Sequence, residues 1–135
     1  MSVRIAAIMT KNVIVAKPQN SLFQIMEFFH LYKIQHIPVC ENENELVGIV
    51  SVNDVLNFIY KMMKDGKAVN ENVLNLSFTA NDVMTKNPVS ISSNHTIKDA
   101  LDLLSEGKFQ SVPVVDEGRI VGIVTTKDLV KHLSI

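Results

Sequence analysis

Two short stretches carry the residue types that could do chemistry, and they share one pattern. Ser51-Val52-Asn53-Asp54 and Thr125-Thr126-Lys127-Asp128 each place a hydroxyl three residues ahead of a carboxylate. Taken alone, the pattern is a capping box. The hydroxyl accepts from the N3 amide, and the acid reaches back to the N-cap amide. His30, His36 and Cys40 invite a zinc reading, but one sits in a helical pattern, two in a strand, and no fourth ligand follows at a known spacing. Met26, Met62, Met63 and Met84 read as gap-filling core residues. No serine stands in a G-x-S-x-G context, and the 5 glycines are too dispersed for a phosphate-binding loop. The expectation is a protein that is not an enzyme and holds no metal.

The elements that must position these residues are written twice. Ile8-Met9-Thr10-Lys11-Asn12 returns as Val83-Met84-Thr85-Lys86-Asn87, an offset of 75 (84 − 9). At that offset Ile37-Pro38-Val39 faces Val112-Pro113-Val114. One residue is then lost, so that Val47-Gly48-Ile49-Val50-Ser51 meets Val121-Gly122-Ile123-Val124-Thr125 at 74 (122 − 48). In the second copy Val89-Ser90-Ile91 reads as a short strand after the breaker Asn87-Pro88. Thr96-Ile97-Lys98-Asp99 opens a helix with Ile97, Ala100, Leu101 and Leu104 at helical spacing, and Gly107 suits its left-handed end. Val112 to Val115 and Ile120 to Val124 form a hairpin around Asp116-Glu117-Gly118-Arg119. Thr125 opens the last helix. In the first copy Val13-Ile14-Val15 is the short strand and Ser21 caps a helix burying Leu22, Ile25, Met26 and Phe29. A second hairpin and a helix from Ser51 follow. The fold class is therefore α+β, with two β-α-β-β-α repeats about a pseudo-two-fold axis and a cleft at their interface. The boundaries fall at 1–63, a polar connector at 64–75, and 76–135. Val3 to Met9 mirrors Leu76 to Met84, so the N-terminus is expected to pack on the other copy's leading segment.

The chain has 135 residues, 47% apolar and 20% charged, with net charge −1. Its Lys and Arg residues form no run, which disfavours nucleic acid as a partner. No run of eighteen apolar residues and no signal peptide is visible, so no membrane association is expected. One cysteine allows no internal disulfide and fits a reducing cytoplasm.

In order, these residues resemble a tandem pair of CBS domains, the regulatory domain of cystathionine β-synthase, also called a Bateman module. The matching stretches are Ile8-Met9-Thr10, Pro38-Val39 and Gly48 to Asp54 in one copy. In the other they are Val83-Met84-Thr85, Asn87-Pro88-Val89, Pro113 to Asp116 and Gly122 to Asp128. The resemblance implies a regulatory module that binds an adenosine-containing ligand (AMP, ADP, ATP or S-adenosylmethionine) and signals to a protein partner. No other cofactor is implied.

The resemblance also assigns roles. Ser51 with Asp54, and Thr125 with Asp128, would contact the ribose. A carboxylate is acceptor-only and can take two hydrogen bonds from a vicinal diol, and neighbouring helix amides can accept a phosphate. Gln35 and His36, and Gln110 and Ser111, would face the base or phosphate. Ile14 and Val89 would wall the adenine pocket, with Ile49 and Ile123 near the base and Met9 and Met84 leading in. For Ile14, Val89, Ile49 and Ile123, core packing is the plainer role of the side chains. The absence of an arginine beside His36 or Ser111 argues against tight polyphosphate binding. The Asp54 cleft, with His36, is expected to hold a phosphorylated adenosine more tightly than the Asp128 cleft, increasingly so toward pH 6. A homodimer is expected, through Phe28, Phe29, Ile59 and Tyr60. Two rival readings remain: a ligand-free structural dimerisation module, and a nucleic-acid-associated CBS protein.

Overall fold

The computed structural model describes residues 3–133, so the repeat limits at 1 and 135 lie outside the described residues. The chain divides into two compact units. One comprises Ile14–Asn42 and Val47–Asn87, and is termed the Asp54 unit. The other comprises Met1–Val13, Glu43–Leu46 and Pro88–Ile135, and is termed the Asp128 unit.

In the Asp54 unit, α1 (Leu22–Tyr32) starts at Ser21, whose side chain accepts from the Gln24 amide while the Gln24 side chain returns the bond. Lys33 ends it in the left-handed region at φ 52°. β1 (His36–Glu41) leads through a turn into β2 (Glu45–Ser51), and α2 (Val52–Lys64) follows at once. Next come α3 (Glu71–Leu76), α4 (Ala80–Val83) and the two-residue strand β3 (Thr85–Lys86), which pairs antiparallel with β2 through Gly48↔Lys86 and Ile49↔Thr85. The core gathers Leu22, Ile25, Ile37, Val39, Val50, Val55, Leu74 and Ala80.

In the Asp128 unit, a single 3-10 turn at Ile5–Ala7 buries Ile5. α5 (Ile97–Leu104) starts at the Thr96/Asp99 capping box. β4 (Ser111–Asp116) and β5 (Arg119–Thr125) form an antiparallel hairpin with Glu117 and Gly118 at φ 53° and 79°. Two consecutive positive φ values are what a tight type I′ hairpin turn requires. α6 (Thr126–Leu133) closes the unit, and Glu45, the first residue of β2, pairs with Arg119 here. Ile5, Ile97, Val112, Val114, Val124 and Leu129 form the core.

Two expectations are corrected. The first strand of each repeat shrinks to a single parallel bridge, Ala16↔Val39 in one copy and Ile91↔Val114 in the other. Side chains capture the next amides and stop the ladder. Lys17 donates to Asn20 Oδ1, Ser92 to His95 Nδ1, and Ser93 to Asp116 Oδ1. These bridges also explain how Pro38 and Pro113 sit inside strands. Each offers only its carbonyl, to the Ala16 and Ile91 amides at 2.9 and 3.1 Å, so the missing proline N–H is not needed. The polar connector leads into a short helix, α3. Asn70 caps α3, and Leu74 is buried.

Second, the N-terminal segment packs on the body of the second copy, not on its leading segment. The Ile5 amide donates to the His95 carbonyl at 2.7 Å, and Thr10 exchanges bonds with Ile123 at 2.9 and 3.0 Å. The second copy's leading segment lies in the Asp54 unit, where Leu22 donates to the Phe78 carbonyl and Ala80 to that of Asn20. The leading segments are thus exchanged between the repeats. The surface expectation changes as well: Phe28, Phe29 and Ile59 pack against the Asp54-unit core, while Tyr60 stays exposed.

Candidate ligand-binding site

Each unit assembles one set of the expected residues around the first turn of a helix. At the start of α2, the Ser51 amide donates to Asp54 Oδ2 at 2.8 Å and the Asp54 amide donates to Ser51 Oγ at 3.0 Å. At the start of α6, the Thr125 amide donates to Asp128 Oδ2 at 3.0 Å and the Asp128 amide to Thr125 Oγ1 at 3.1 Å. Both quartets are therefore capping boxes. A carboxylate has about four acceptor positions, and the box occupies only part of that capacity. Both aspartates are half-buried, so they can cap a helix and meet a small molecule at once.

The strand before each helix brings up a second group. The amide of Val52 donates to the Gln35 carbonyl at 3.0 Å, and that of Thr126 to the Gln110 carbonyl at 2.9 Å. These bonds pin the positions before His36 and Ser111 against the helix starts, while the side chains of Gln35 and Gln110 remain exposed. His36 is half-buried and feels the Asp54 carboxylate. Burial lowers its pKa from the usual 6.5, and the nearby negative charge offsets this only in part. Free His36 is therefore neutral at pH 7, and the expected attraction of phosphate to an imidazolium at pH 6 is shifted to lower pH. Ser111 is buried and offers a neutral hydroxyl position.

The exchanged leading segments form the third side. A Cβ on Gly48 would stand 2.6 Å from Met84 Sδ and 3.1 Å from the Thr85 carbonyl oxygen. A Cβ on Gly122 would stand 2.5 Å from Met9 Sδ and 3.0 Å from the Thr10 carbonyl oxygen. Only glycine lets the Met-Thr backbone lie this close to the strand that leads into the helix bearing Asp54 or Asp128. Two residues absent from the expected set appear here. Thr85 is paired with Ile49, and Thr10 directs its hydroxyl to Asp128 at 3.4–3.5 Å. That distance is long for an O–H···O bond. The repeated Met-Thr dipeptide was the signal that could have found both.

The remaining positions are unequal. Ile49 and Ile14 are half-buried, Ile123 is buried, and Val89 is 52% exposed, so Val89 is neither a core residue nor an enclosed wall. Among the described residues no group of three His, Cys, Asp or Glu is placed to hold a metal. Nor is any helix long and apolar enough to cross a membrane.

Comparison with known proteins agrees with this arrangement. The CBS domain family matches residues 5–61 and again 80–135. The chain is 30% identical over 126 residues to the inosine-5'-monophosphate dehydrogenase of Methanocaldococcus jannaschii, covering 93% of this chain and 22% of that protein. It is 30% identical over 139 residues to the chloroplastic CBS domain-containing protein CBSX2 of Arabidopsis thaliana, covering 90% of this chain and 58% of that one. The chain thus spans about a fifth of the dehydrogenase and somewhat over half of the plant protein. Among solved structures, CBSX2 in complex with AMP superposes with a TM-score of 0.82 at 28% identity, over 98% of this chain and 96% of that one. The CBS domain pair of protein MJ0100, in complex with 5-methylthioadenosine and S-adenosyl-L-methionine, has the same fold, with a TM-score of 0.79 at 24% identity over 97% and 98%. With two matched repeats and an α+β structure built from them, the chain belongs to the CBS domain family, as a tandem pair.

Proposed function

We propose that the chain is a non-catalytic regulatory module that binds an adenosine-containing ligand, AMP or a relative, at the helix starts marked by Asp54 and Asp128, and passes its state to a protein partner. The observation that carries this is the twofold recurrence of one arrangement. Each consists of a hydroxyl-x-x-Asp helix start, a pinned strand end at His36 or Ser111, and a Met-Thr segment held against a glycine. A capping box alone needs neither of the last two. The AMP complex of CBSX2 supports the choice of ligand class. In this reading the aspartates accept from the ribose hydroxyls, and the first-turn amides of α2, a helix of 13 residues, face the phosphate. Binding acts on a partner only through differential affinity for two arrangements of the chain.

A specific observation favours a second reading at one site. The Thr10 hydroxyl stands 3.4–3.5 Å from Asp128 and crowds the face a ribose would approach, so that site suits a weaker ligand or none. Thermal unfolding with AMP, ADP, ATP, S-adenosylmethionine and NAD tests the proposal. A ligand that binds only the folded chain raises the melting temperature. No rise with any adenosine compound would leave the ligand-free module as the better account.

A further inference from the structure

We infer that His95 makes the N-terminal strap of the Asp128 unit releasable by acid, through a turn whose counterpart in the Asp54 unit cannot titrate. The inference goes beyond the ligand reading and holds with or without a ligand. The turns before α1 and α5 are closed in the same way. In the Asp54 unit the Lys17 amide donates to Asn20 Oδ1 at 2.7 Å, and the Asn20 amide donates to the Lys17 carbonyl at 3.0 Å. In the Asp128 unit the Ser92 amide donates to His95 Nδ1 at 2.8 Å, and the His95 amide to the Ser92 carbonyl at 3.0 Å. Asn20 and His95 stand at the repeat offset of 75 (95 − 20). An amide oxygen accepts at any pH. A neutral imidazole accepts at Nδ1 only while its proton is on Nε2, and an imidazolium donates from both nitrogens. Histidine is also the side chain whose ordinary charge change falls between about pH 5 and 8. Protonation therefore sets two donors against each other in one turn and leaves its counterpart intact.

This turn is where the strap is fastened. The Ile5 amide donates to the His95 carbonyl at 2.7 Å, the Ala6 amide to the Ser93 carbonyl at 3.2 Å, and Arg4 Nη1 to Asn94 Oδ1 at 2.9 Å. The same strap carries Met9 against Gly122 and Thr10 into its paired bonds with Ile123. Charged groups reach the turn from each neighbouring element. Arg4 comes from the strap, Lys98 and Asp99 from α5, and Asp116 and Glu117 from the β4–β5 hairpin. Asp99 and His95 interact by charge, so an imidazolium is drawn toward that carboxylate rather than the Ser92 amide. Arg4 and Lys98 act against this. The Thr96 amide holds the Asp99 carboxyl below 3.8, and Ser93 Oγ does the same for Asp116, so both stay charged while histidine titrates. The acid-sensitive member of the turn is therefore His95.

The repeat supplies its own control. The Ala80 and Asn81 amides donate to the Asn20 and Pro18 carbonyls at 2.8 and 3.0 Å, as Ile5 and Ala6 donate to His95 and Ser93. The test is amide hydrogen exchange of the full chain by NMR at about pH 7.5 and pH 5.5, read as protection factors corrected for intrinsic exchange. In the wild type, protection of the Ile5 and Ala6 amides should fall about three- to tenfold on acidification, the worth of one lost hydrogen bond, while Ala80 and Asn81 hold theirs. His95→Asn, which copies the other turn, should abolish the fall. Asn20→His should move it to Ala80 and Asn81, and gives an independent answer if His95→Asn does not fold. Equal protection of Ile5 and Ala6 at both pH values in the wild type would overturn the inference. So would a fall that persists in His95→Asn, or one that Ala80 and Asn81 share in the wild type, because the chain as a whole would then be opening.

Discussion

At the scale of single residues, His36 and Asp116 give opposite pH signatures. Burial lowers the His36 pKa, so the folded chain binds fewer protons than the unfolded chain just below 6.5. Its contribution to stability is intact above that value and declines as pH falls through the window down to the folded pKa. His36→Gln should therefore lose less melting temperature than the wild type between pH 7 and pH 5. A phosphate bound beside His36 would draw a proton onto it, and calorimetry in buffers of different ionisation enthalpy should record that uptake in the wild type only. Asp116 goes the other way. Its carboxylate accepts from Ser93 Oγ at 2.6 Å, the Ser93 amide at 3.0 Å and Ser92 Oγ at 3.2 Å, which lowers its pKa below 3.8. Its stabilisation is present above the unfolded carboxylate range and lost as pH falls through the folded pKa. Asp116→Asn should unfold at a lower temperature at pH 7, and the gap should narrow as pH falls below 3.8. Sequence reading treated Asp116 as a turn residue only, because its partners lie 23 and 24 residues away and nothing in the local pattern ties them together.

Cys40 supplies a separate check on the core. Burial in β1 pushes its thiol up to about 11, so at pH 7 it is protonated as well as shielded. Labelling by a thiol reagent should track global unfolding, since the thiolate is the reactive form. Rapid labelling under native conditions would mean that β1 opens locally.

At the scale of elements, the exchanged leading segments are held by close backbone approach at two glycines. Gly48→Ala or Gly122→Ala would force the methionine side chain away and press on a threonine carbonyl at 3.0–3.1 Å. Each should cost about 1–3 kcal/mol of stability by overpacking and displace the Met-Thr segment from the helix start. Chemical denaturation measures the first effect, and loss of AMP affinity the second. The hairpins and the caps at Ser21, Ser51, Thr96 and Thr125 were legible, because turn residues and hydroxyl-x-x-acid or hydroxyl-x-x-Gln quartets are local signals, whereas the Asn70 cap of α3 and the Thr79/Asp82 box of α4 were not read. The exchange was not. A segment that is repeated in sequence looks the same whichever body it packs on, and tertiary bonds such as Ile5–His95 and Leu22–Phe78 distinguish the two cases. The first strands were overread for a similar reason. Alternating residues at Val13–Val15 and Val89–Ile91 suit a strand, but side chains at Asn20, His95 and Asp116 take the amides that would have extended it.

At the scale of the whole molecule, the account rests on one claim: two copies of one arrangement make two adenosine sites of unequal strength. The repeat made the duplication visible in the sequence. It could not show that Thr10 lies on Asp128, because that contact joins residues 118 apart. The most direct measurement is isothermal calorimetry of AMP with the wild type, Asp54→Ala and Asp128→Ala. Removing a charged acceptor costs roughly 1.5–3 kcal/mol, about ten- to a hundredfold in affinity. The account predicts that loss at the tighter site for Asp54→Ala and little change there for Asp128→Ala. Intact AMP binding in Asp54→Ala with abolition in Asp128→Ala would contradict the ranking of the sites, and unchanged binding in both variants would reduce the two quartets to helix caps.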